Sequence, residues 1–240
     1  AAACAWAKAA GMDRLVGPMN PSINDECGLL VVGFDRAPAM MMSYNPPYLP
    51  GLVEAAGFTK AKDLIAFHID LAAAPQARLD RLAAGFRRRS PRLQVRRITK
   101  ASLAADVPKI KRIYNEAWEK NWGAVPLSDG EINLLAERLA PLLVDGLVWL
   151  AEQDGEVAGF LLGLPDANEI IQPLRGRLFS PGLLRALPYL VGWRKPRLFR
   201  LVALGTRREF RQRGQEAVMF AETLRAARNP GFVGSEASWI

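Results

Sequence analysis

The sequence predicts a mixed α/β (α+β) fold organised around a mixed β-sheet, and three observations carry that prediction. Alternating apolar and polar runs of strand length are interleaved with segments whose apolar residues recur at helical spacing. A strand, an Asp-Gly pair and a second strand follow one another in "GLVWLAEQDGEVAGFLLGL", the pattern of a tight antiparallel hairpin. An apolar run, Leu198 to Leu204, then passes through four arginines and one glycine, "TRREFRQRG", straight into another helix-like segment. Half of the 240 residues are hydrophobic and 23% are charged, so a sizeable core can be buried.

The elements follow in order. "ACAWAKAAG" reads as the end of a helix closed by Gly11. "DRLVGPMN" reads as a short strand entering a turn. In "SINDECGLLV", Ser22 with Asp25 three residues on is the capping-box pattern of a helix start. "PAMMMSYNPPYLPGLVEAAGF" holds an apolar run, a Pro-rich turn and a short helix ending at Gly57. "KDLIAFHIDL" alternates as a strand and makes the lone histidine, His68, a half-buried strand residue. From Pro75 to Arg89 a helix rich in Ala, Leu and Arg leads to "RRRSPR", where charge and proline mark a domain boundary.

Beyond that boundary "LQVRRIT" is a strand. "ADVPKIKRIYNEAWEKNWG" is a helix with Pro108 in its first turn and Trp118 and Trp122 four apart on one face. "SDGEINLLAERLAPLL" is a second helix, capped by Ser128 with Glu131 three residues later. The hairpin comes next, then an insertion from Gln172 to Pro196 of apolar helix, glycines, prolines and basic residues. "LFRLVALGT" is a strand, "EAVMFAETLRAARN" a helix and "GSEASWI" a last strand, giving the order β-α-α-β-β-β-α-β.

A net charge of +8 and a pI of about 9.9 point to an anionic partner: a nucleotide cofactor, a nucleic acid or an acidic membrane surface. No aromatic-rich recognition strand supports nucleic-acid readout. Cys4 and Cys27 stand far apart without a CxxC or a neighbouring histidine. That argues against a disulfide framework and a zinc site and fits a reducing, cytoplasmic setting. No apolar run approaches the roughly 18 residues of a membrane span. The opening inside a helix without Met and the close on an apolar strand read as cuts in a longer protein. Such a piece is expected to aggregate rather than melt reversibly.

The arginine-rich loop carries chemistry. The first N–H groups of a helix lack internal partners, and the helix dipole places positive potential there. Glycine lets an anion approach the backbone, and arginines add charge and forked donors. Arg211, Gln212, Arg213, Gly214 and Gln215 are therefore read as a diphosphate cradle. The spacing is neither GxGxxG nor GxxxxGK[ST].

This loop resembles the Arg/Gln-x-x-Gly-x-Gly/Ala loop of the GNAT superfamily of acyl-CoA-dependent N-acyltransferases, with Arg211 first and Gly214 fourth. The sixth position departs from the pattern, because Glu216 puts a carboxylate where Gly or Ala is usual. "LVEAAGFTKAKDLIAFHI" looks like the family's closing element. Residues 1–74 are thus expected to be the C-terminal part of a first GNAT-like unit and 75–91 a helix and basic linker. Residues 92–240 are expected to be a second unit lacking its final helix and strands. "GPMNPSINDECGLLV", "YNPPYLPGLVEAAGF", "YNEAWEKNWGAVP", "LPDANE" and "LRGRLF" are similar to a tandem bacterial branch related to the bacterial ceramide synthases, which join a fatty acyl-CoA to a sphingoid amine.

The resemblance implies an acyl-CoA co-substrate, acetyl or long-chain, no metal, and a small-molecule or lipid amine as acceptor. It implicates Leu204, Gly205 and Thr206 in pairing with pantetheine where the strand splays from its neighbour. Glu236 is the first candidate for the base, followed by Asp166 and Glu169. Asn168, Trp118 and Trp122 are candidate substrate contacts, and the family's tyrosine acid would lie beyond Ile240. In the insertion, Leu183, Leu184, Leu187, Tyr189, Leu190, Val191 and Trp193 are interleaved with Arg185, Arg194 and Lys195. That pattern suits an interfacial helix at an anionic membrane, a lid over an acyl chain, or a helix covering the sheet. Two other functions stay open: an aminoacyl-tRNA-dependent transferase, and a non-catalytic basic module binding membrane or RNA. Saturable CoA binding separates the first reading from both.

Overall fold

The structure, a computed structural model, describes residues 2–239, the side chain of Leu190 excepted. Ala1, in the expected first helix, and Ile240, in the expected last strand, lie outside the described residues, as does the place expected for Leu190 on the insertion's apolar face. The chain divides into two units, Ala1–Ile65 and Ala66–Ile240.

The first unit holds α1 (Ala2–Ala9), β1 (Met19–Asn20), β2 (Glu26–Cys27) and α2 (Leu49–Ala55). The Ser22/Asp25 pattern closes a turn and starts no helix. Ser22 Oγ donates to Asp25 Oδ2 at 3.0 Å, and the Asn24 N–H donates to Ser22 Oγ at 3.1 Å. The turn joins β1 to β2, which pair antiparallel with Met19 opposite Cys27. Short polar side chains serve turns and helix starts with the same bonds, so the pattern alone does not choose. Buried Asn45 stands in for a strand: its Oδ1 accepts the Leu30 N–H at 2.7 Å and its Nδ2 donates to the Leu30 carbonyl at 3.3 Å.

The second unit is a six-stranded sheet with helices on both faces. In chain order it comprises β3 (Ala66–Asp70), α3 (Gln76–Arg89), β4 (Leu93–Arg97), α4 (Leu103–Trp118), α5 (Asp129–Leu139), β5 (Val148–Gln153) and β6 (Glu156–Pro165). There follow α6 (Asn168–Ile171), α7 (Gly182–Leu190), β7 (Leu198–Thr206), α8 (Gln215–Arg228) and β8 (Gly234–Ser238). The strand order is β3-β8-β7-β6-β5-β4, and every pairing is antiparallel except β7 with β8, which α8 connects as a crossover. The units part after Ile65 and not at the charged stretch 87–92. β3 pairs along its length with β8, and α3 lies against α8 with Ala83 buried beside Val218 and Ala221.

Local signals explain several elements. Both halves of the Ser128/Glu131 capping box form at the start of α5. Asp154 and Gly155 take φ values of 54° and 81°, the left-handed pair that a two-residue hairpin turn requires. α4 departs from expectation at both ends. It begins at Leu103, which moves Pro108 into the second turn, and it stops at Trp118, which leaves Trp122 in the turn beyond and off the helix face. Asn115 turns the chain back: its side chain accepts the Leu127 N–H at 2.9 Å and donates to the Leu127 carbonyl at 3.1 Å.

Alternation along the strands sorts the core into two faces. Leu161, Phe199 and Leu201 meet Met219 and Leu224 of α8, while Leu150 and Phe160 meet Ile113 and Ala117 of α4. Arg200, between Phe199 and Leu201, therefore points to the α4 face.

A charge network ties α4 to the sheet. Arg96 forks onto Asp106, Nη1 to Oδ2 at 2.9 Å and Nη2 to Oδ1 at 2.5 Å, and Lys109 reaches Glu152 at 2.8 Å. Hydrogen bonds from Arg96 hold the Asp106 carboxyl below its ordinary value, against the burial that would raise it. The stabilisation is thus present above the unfolded value of about 3.9 and is lost as pH falls through the depressed one. Asp106→Asn is expected to cost about 2 kcal/mol at neutral pH, or about 4–8 °C in melting temperature. The gap from the unmutated chain should close in melts recorded at progressively lower acid pH.

Candidate functional site

The site is built on β7. That strand pairs with β6 from Pro165↔Phe199 to Gly159↔Thr206, with Val202 bulged out of register between Leu201 and Ala203. Its parallel pairing with β8 runs only from Leu198↔Gly234 to Leu201↔Ala237. A bulge bends and twists a strand, and here it falls where the β8 ladder ends. Val202–Thr206 are thus paired on one side only among the described residues. The Arg207 N–H donates to the Ala158 carbonyl at 2.9 Å, which makes Gly159↔Thr206 a non-hydrogen-bonded pair. By alternation the N–H and C=O groups of Leu204 and Thr206 face the open side. Gly205 lies between them. A Cβ there would come within 2.5 Å of the Trp118 ring, so the glycine is what lets that indole lie on the strand. Trp118 packs on Tyr114 at 4.7 Å and edge-on to Phe160 at 6.0 Å. The Thr206 hydroxyl is buried with no hydrogen-bond partner among the described residues.

After β7 a 3-10 turn, Arg208–Phe210, leads through residues 211–214 into α8. Gln212 and Gly214 take positive φ, 65° and 86°. Among the described residues the backbone N–H groups of 212–217 meet no protein acceptor, which leaves a row of donors at the helix start. The side chains divide their tasks. Arg211 Nη2 donates to the Ala117 carbonyl at 2.8 Å and clamps the loop to the end of α4. Buried Gln215 donates to the Phe210 carbonyl at 2.6 Å and braces the loop from within. Arg213 is exposed and lies over the Phe210 ring at 5.2 Å. Gly214 does not hold its Cβ space open for an anion, as the sequence reading expected. Phe86 of α3 fills it, with ring atoms 2.1 Å from where a Cβ would sit. Glu216 occupies the second position of α8, where its charge favours the helix dipole.

The carboxylates gather at the other end of the open edge, about 20 Å along the strand at 3.4 Å per residue. Arg200 is 3% exposed and lies opposite Glu236 of β8, Nε to Oε2 at 3.3 Å. Its Nη2 donates to Ser238 Oγ at 3.0 Å, and its guanidinium lies 5.8 Å from the centre of the Trp239 ring. Asp166, 5% exposed at the end of β6, adds its negative charge to the group. Burial pushes the Glu236 carboxyl above its ordinary range, with Ser238 and Arg200 opposing and Asp166 adding to the rise. His68 stands opposite Glu236 on β3 and is exposed, because β3 is an edge strand. Glu169 stays outside this group. Its two oxygens accept the N–H groups of Arg197 at 3.0 Å and Leu198 at 2.7 Å and close the neck of the insertion. The Asn168 N–H donates to Asp166 Oδ1 at 3.1 Å, the turn that opens α6.

Glu236, Asp166, Trp118, Leu204, Gly205, Thr206 and the 211–215 loop thus lie along one strand, while Trp122 falls in the turn beyond α4 and Glu169 holds the neck of the insertion. Sequence reasoning passed over Arg200 and Phe86. A lone arginine inside the apolar run "LFRLVALGT" was the available signal, since a buried guanidinium requires partners. Arg207 was also missed: 3% exposed, it meets Glu116 and Glu209 at 2.5 Å and Glu156 at 3.5 Å, and it fixes the strand's exit. Among the described residues no group of His, Cys, Asp or Glu is arranged to hold a metal.

No family model matches the sequence. The chain is 34% identical over 244 residues to the bacterial ceramide synthase of Caulobacter vibrioides (strain NA1000 / CB15N), across 98% of this chain and 62% of that protein. It is a relative of that bacterial ceramide synthase. Protein YghO of Escherichia coli (strain K12) is 32% identical over 250 residues, across 100% of this chain and 62% of YghO. The chain therefore spans under two thirds of the length of both relatives. A GCN5-related N-acetyltransferase from Sphaerobacter thermophilus matches in structure with a TM-score of 0.48 and 16% identity, over 83% of this chain and 48% of that one.

The packing at Gly214 makes a prediction. Gly214→Ala is expected to cost more than the roughly 1–2 kcal/mol of left-handed backbone alone. Phe86→Ala in the same chain should return the excess. Thermal melts of the two single variants and the double variant measure the coupling, and additive losses would show that the ring does not set the requirement.

Proposed function

We propose that the chain is an acyl-CoA-dependent N-acyltransferase of the GNAT type whose acceptor is a long-chain, sphingoid-type amine. The observation that carries the reading is the open edge of β7. It runs from a buried carboxylate group to a row of unpaired N–H groups at a helix start. The name of the Caulobacter relative, bacterial ceramide synthase, supports the class of acceptor. In this reading the 212–217 backbone and Arg213 hold the diphosphate of the thioester substrate. The main chain of Leu204 and Thr206 pairs with its pantetheine arm. Residues 1–74 and 92–240 are proposed to descend from two GNAT-like units.

The chemistry follows from the charges. An amine reaches the site as an ammonium ion, and only its neutral form attacks a thioester. Glu236, its carboxyl raised by burial, takes one proton. The nitrogen lone pair forms the C–N bond at the carbonyl carbon, and a main-chain N–H of β7 stabilises the oxyanion. Collapse breaks the C–S bond, and the thiolate leaves as CoA with a proton from the nitrogen. Arg200 acts through Glu236 and is a positioning residue. A non-catalytic basic module is the second reading, favoured by the carboxylate of Glu216 in the first turn of α8.

Release of free CoA thiol tests the proposal, with acetyl-CoA or palmitoyl-CoA, each with and without a sphingoid-type amine. Release is expected only when the amine is present, and faster with the long chain. Glu236→Gln should lower kcat by about 10²–10⁴ with little change in KM for the thioester. A base must be ionised to act, so activity should fall as pH drops through the raised carboxyl value, and Glu236→Gln should lose that limb. Arg213→Ala should raise KM for the thioester. If no thioester is bound or cleaved, the binding-module reading replaces this one.

A further inference from the structure

The insertion between β6 and β7 carries an apolar face that the fold does not cover. α7 is seated by its opposite side: Ala186 is fully buried, and a Cβ on Gly182 would come within 1.9 Å of the Pro173 carbonyl oxygen. At about 100° per residue, Leu184, Leu187 and Val191 form one stripe turned away from that seat. They are 74%, 46% and 50% exposed. Phe179, just before the helix, is 90% exposed and Trp193, just after it, 87%. An aromatic residue at each end of an exposed aliphatic stripe is a large apolar surface left in water.

Charge says what covers it. From Ile170 to Arg197 there is no acidic residue, and the basic ones are Arg175, Arg177, Arg185, Arg194, Lys195 and Arg197. All of them are exposed, and none makes an ion pair with a carboxylate among the described residues. Elsewhere in the unit several arginines and lysines pair with carboxylates, as Arg96 does with Asp106, Arg112 with Glu116 and Arg225 with Glu222, whereas along this whole segment no carboxylate is within ion-pair reach among the described residues. The segment thus holds unpaired positive charge around an apolar stripe. That combination fits the interface of an anionic bilayer, where apolar side chains enter the acyl boundary and guanidinium groups meet lipid phosphates.

We infer that α7 with its flanking Phe179 and Trp193 docks peripherally on an anionic lipid surface. No described helix is long and apolar enough to cross a membrane, so the contact is interfacial. The lobe leaves the sheet at Pro165 and returns at Leu198, beside Asp166 and Arg200. Docking would turn that end of the strand toward the lipid. This orientation rests on the proposed acyl transfer, whereas the docking itself does not.

Co-sedimentation with vesicles tests the docking without any thioester or turnover, so its failure is separate from failure of the acyltransferase reading. The probes are vesicles of phosphatidylcholine alone and of phosphatidylcholine with about 30% phosphatidylglycerol, at low and physiological salt. The chain is expected to partition onto the anionic vesicles, at least about tenfold more strongly than onto the neutral ones, and less as salt rises. Phe179→Ser with Trp193→Ser should lower partitioning about tenfold while circular dichroism stays unchanged. Arg177→Gln with Lys195→Gln should weaken the preference for anionic vesicles. Equal binding to both vesicles, or full binding by the Phe179/Trp193 variant, would overturn the inference. So would sedimentation velocity showing self-association that this variant abolishes, with no vesicle binding, since the face would then belong to a second copy of the chain.

Discussion

The extra residue at Val202 is the constraint on which the second unit turns. It shifts the register of β7 against β6 by one residue, between Leu162↔Ala203 and Gly163↔Leu201. The strand bends near the end of the β8 ladder, and on that side the main chain of Leu204 and the Thr206 N–H have no strand partner among the described residues, while Arg211 Nε donates to the Thr206 carbonyl at 3.5 Å. An open edge within a sheet is costly unless something else uses it. Gly159 and Gly205 keep this stretch slim, and Trp118 covers one face of it.

The two ends of that edge are held by opposite means. At the loop, the fold withholds acceptors and leaves backbone N–H groups unpaired, while Arg211 and Gln215 spend their donors on carbonyls of α4 and the loop. At Arg200 the fold concentrates charge. One buried guanidinium faces Glu236, with Asp166 and Ser238 beside it, in a setting where desolvation disfavours every ionised form. A site with a donor row at one end and a strained balance of charge at the other can grip an anion and move a proton.

Features fixed by neighbours in sequence were readable from it. The Asp154-Gly155 hairpin, the Ser128/Glu131 capping box, the helix closed by Gly57 and the strand–loop–helix around Gly214 all depend on residues a few positions apart. What depended on distant partners was not readable. The stretch "RRRSPR" has the composition of a linker, yet the helix before it is packed on α8 through Ala83, and only tertiary contact decides. Trp122 has helical spacing from Trp118, but Asn115 recovers the chain at Leu127 and ends the helix first. Ser22 and Asp25 can serve a turn as well as a cap, and pairing of Met19 with Cys27 selects the turn. Phe86 and Gly214 stand far apart in sequence, and nothing local to either announces the other.

Glu169 has a consequence for how such a chain can change over time. It closes the neck of the 170–196 segment through main-chain N–H groups, which every residue but proline supplies. The sheet therefore does not sense what the segment contains. Its length, shape and chemistry can be exchanged as a cassette while β6 and β7 keep their register and the edge beyond them stays intact. One carboxylate fastens the segment to the strand pair through backbone groups alone.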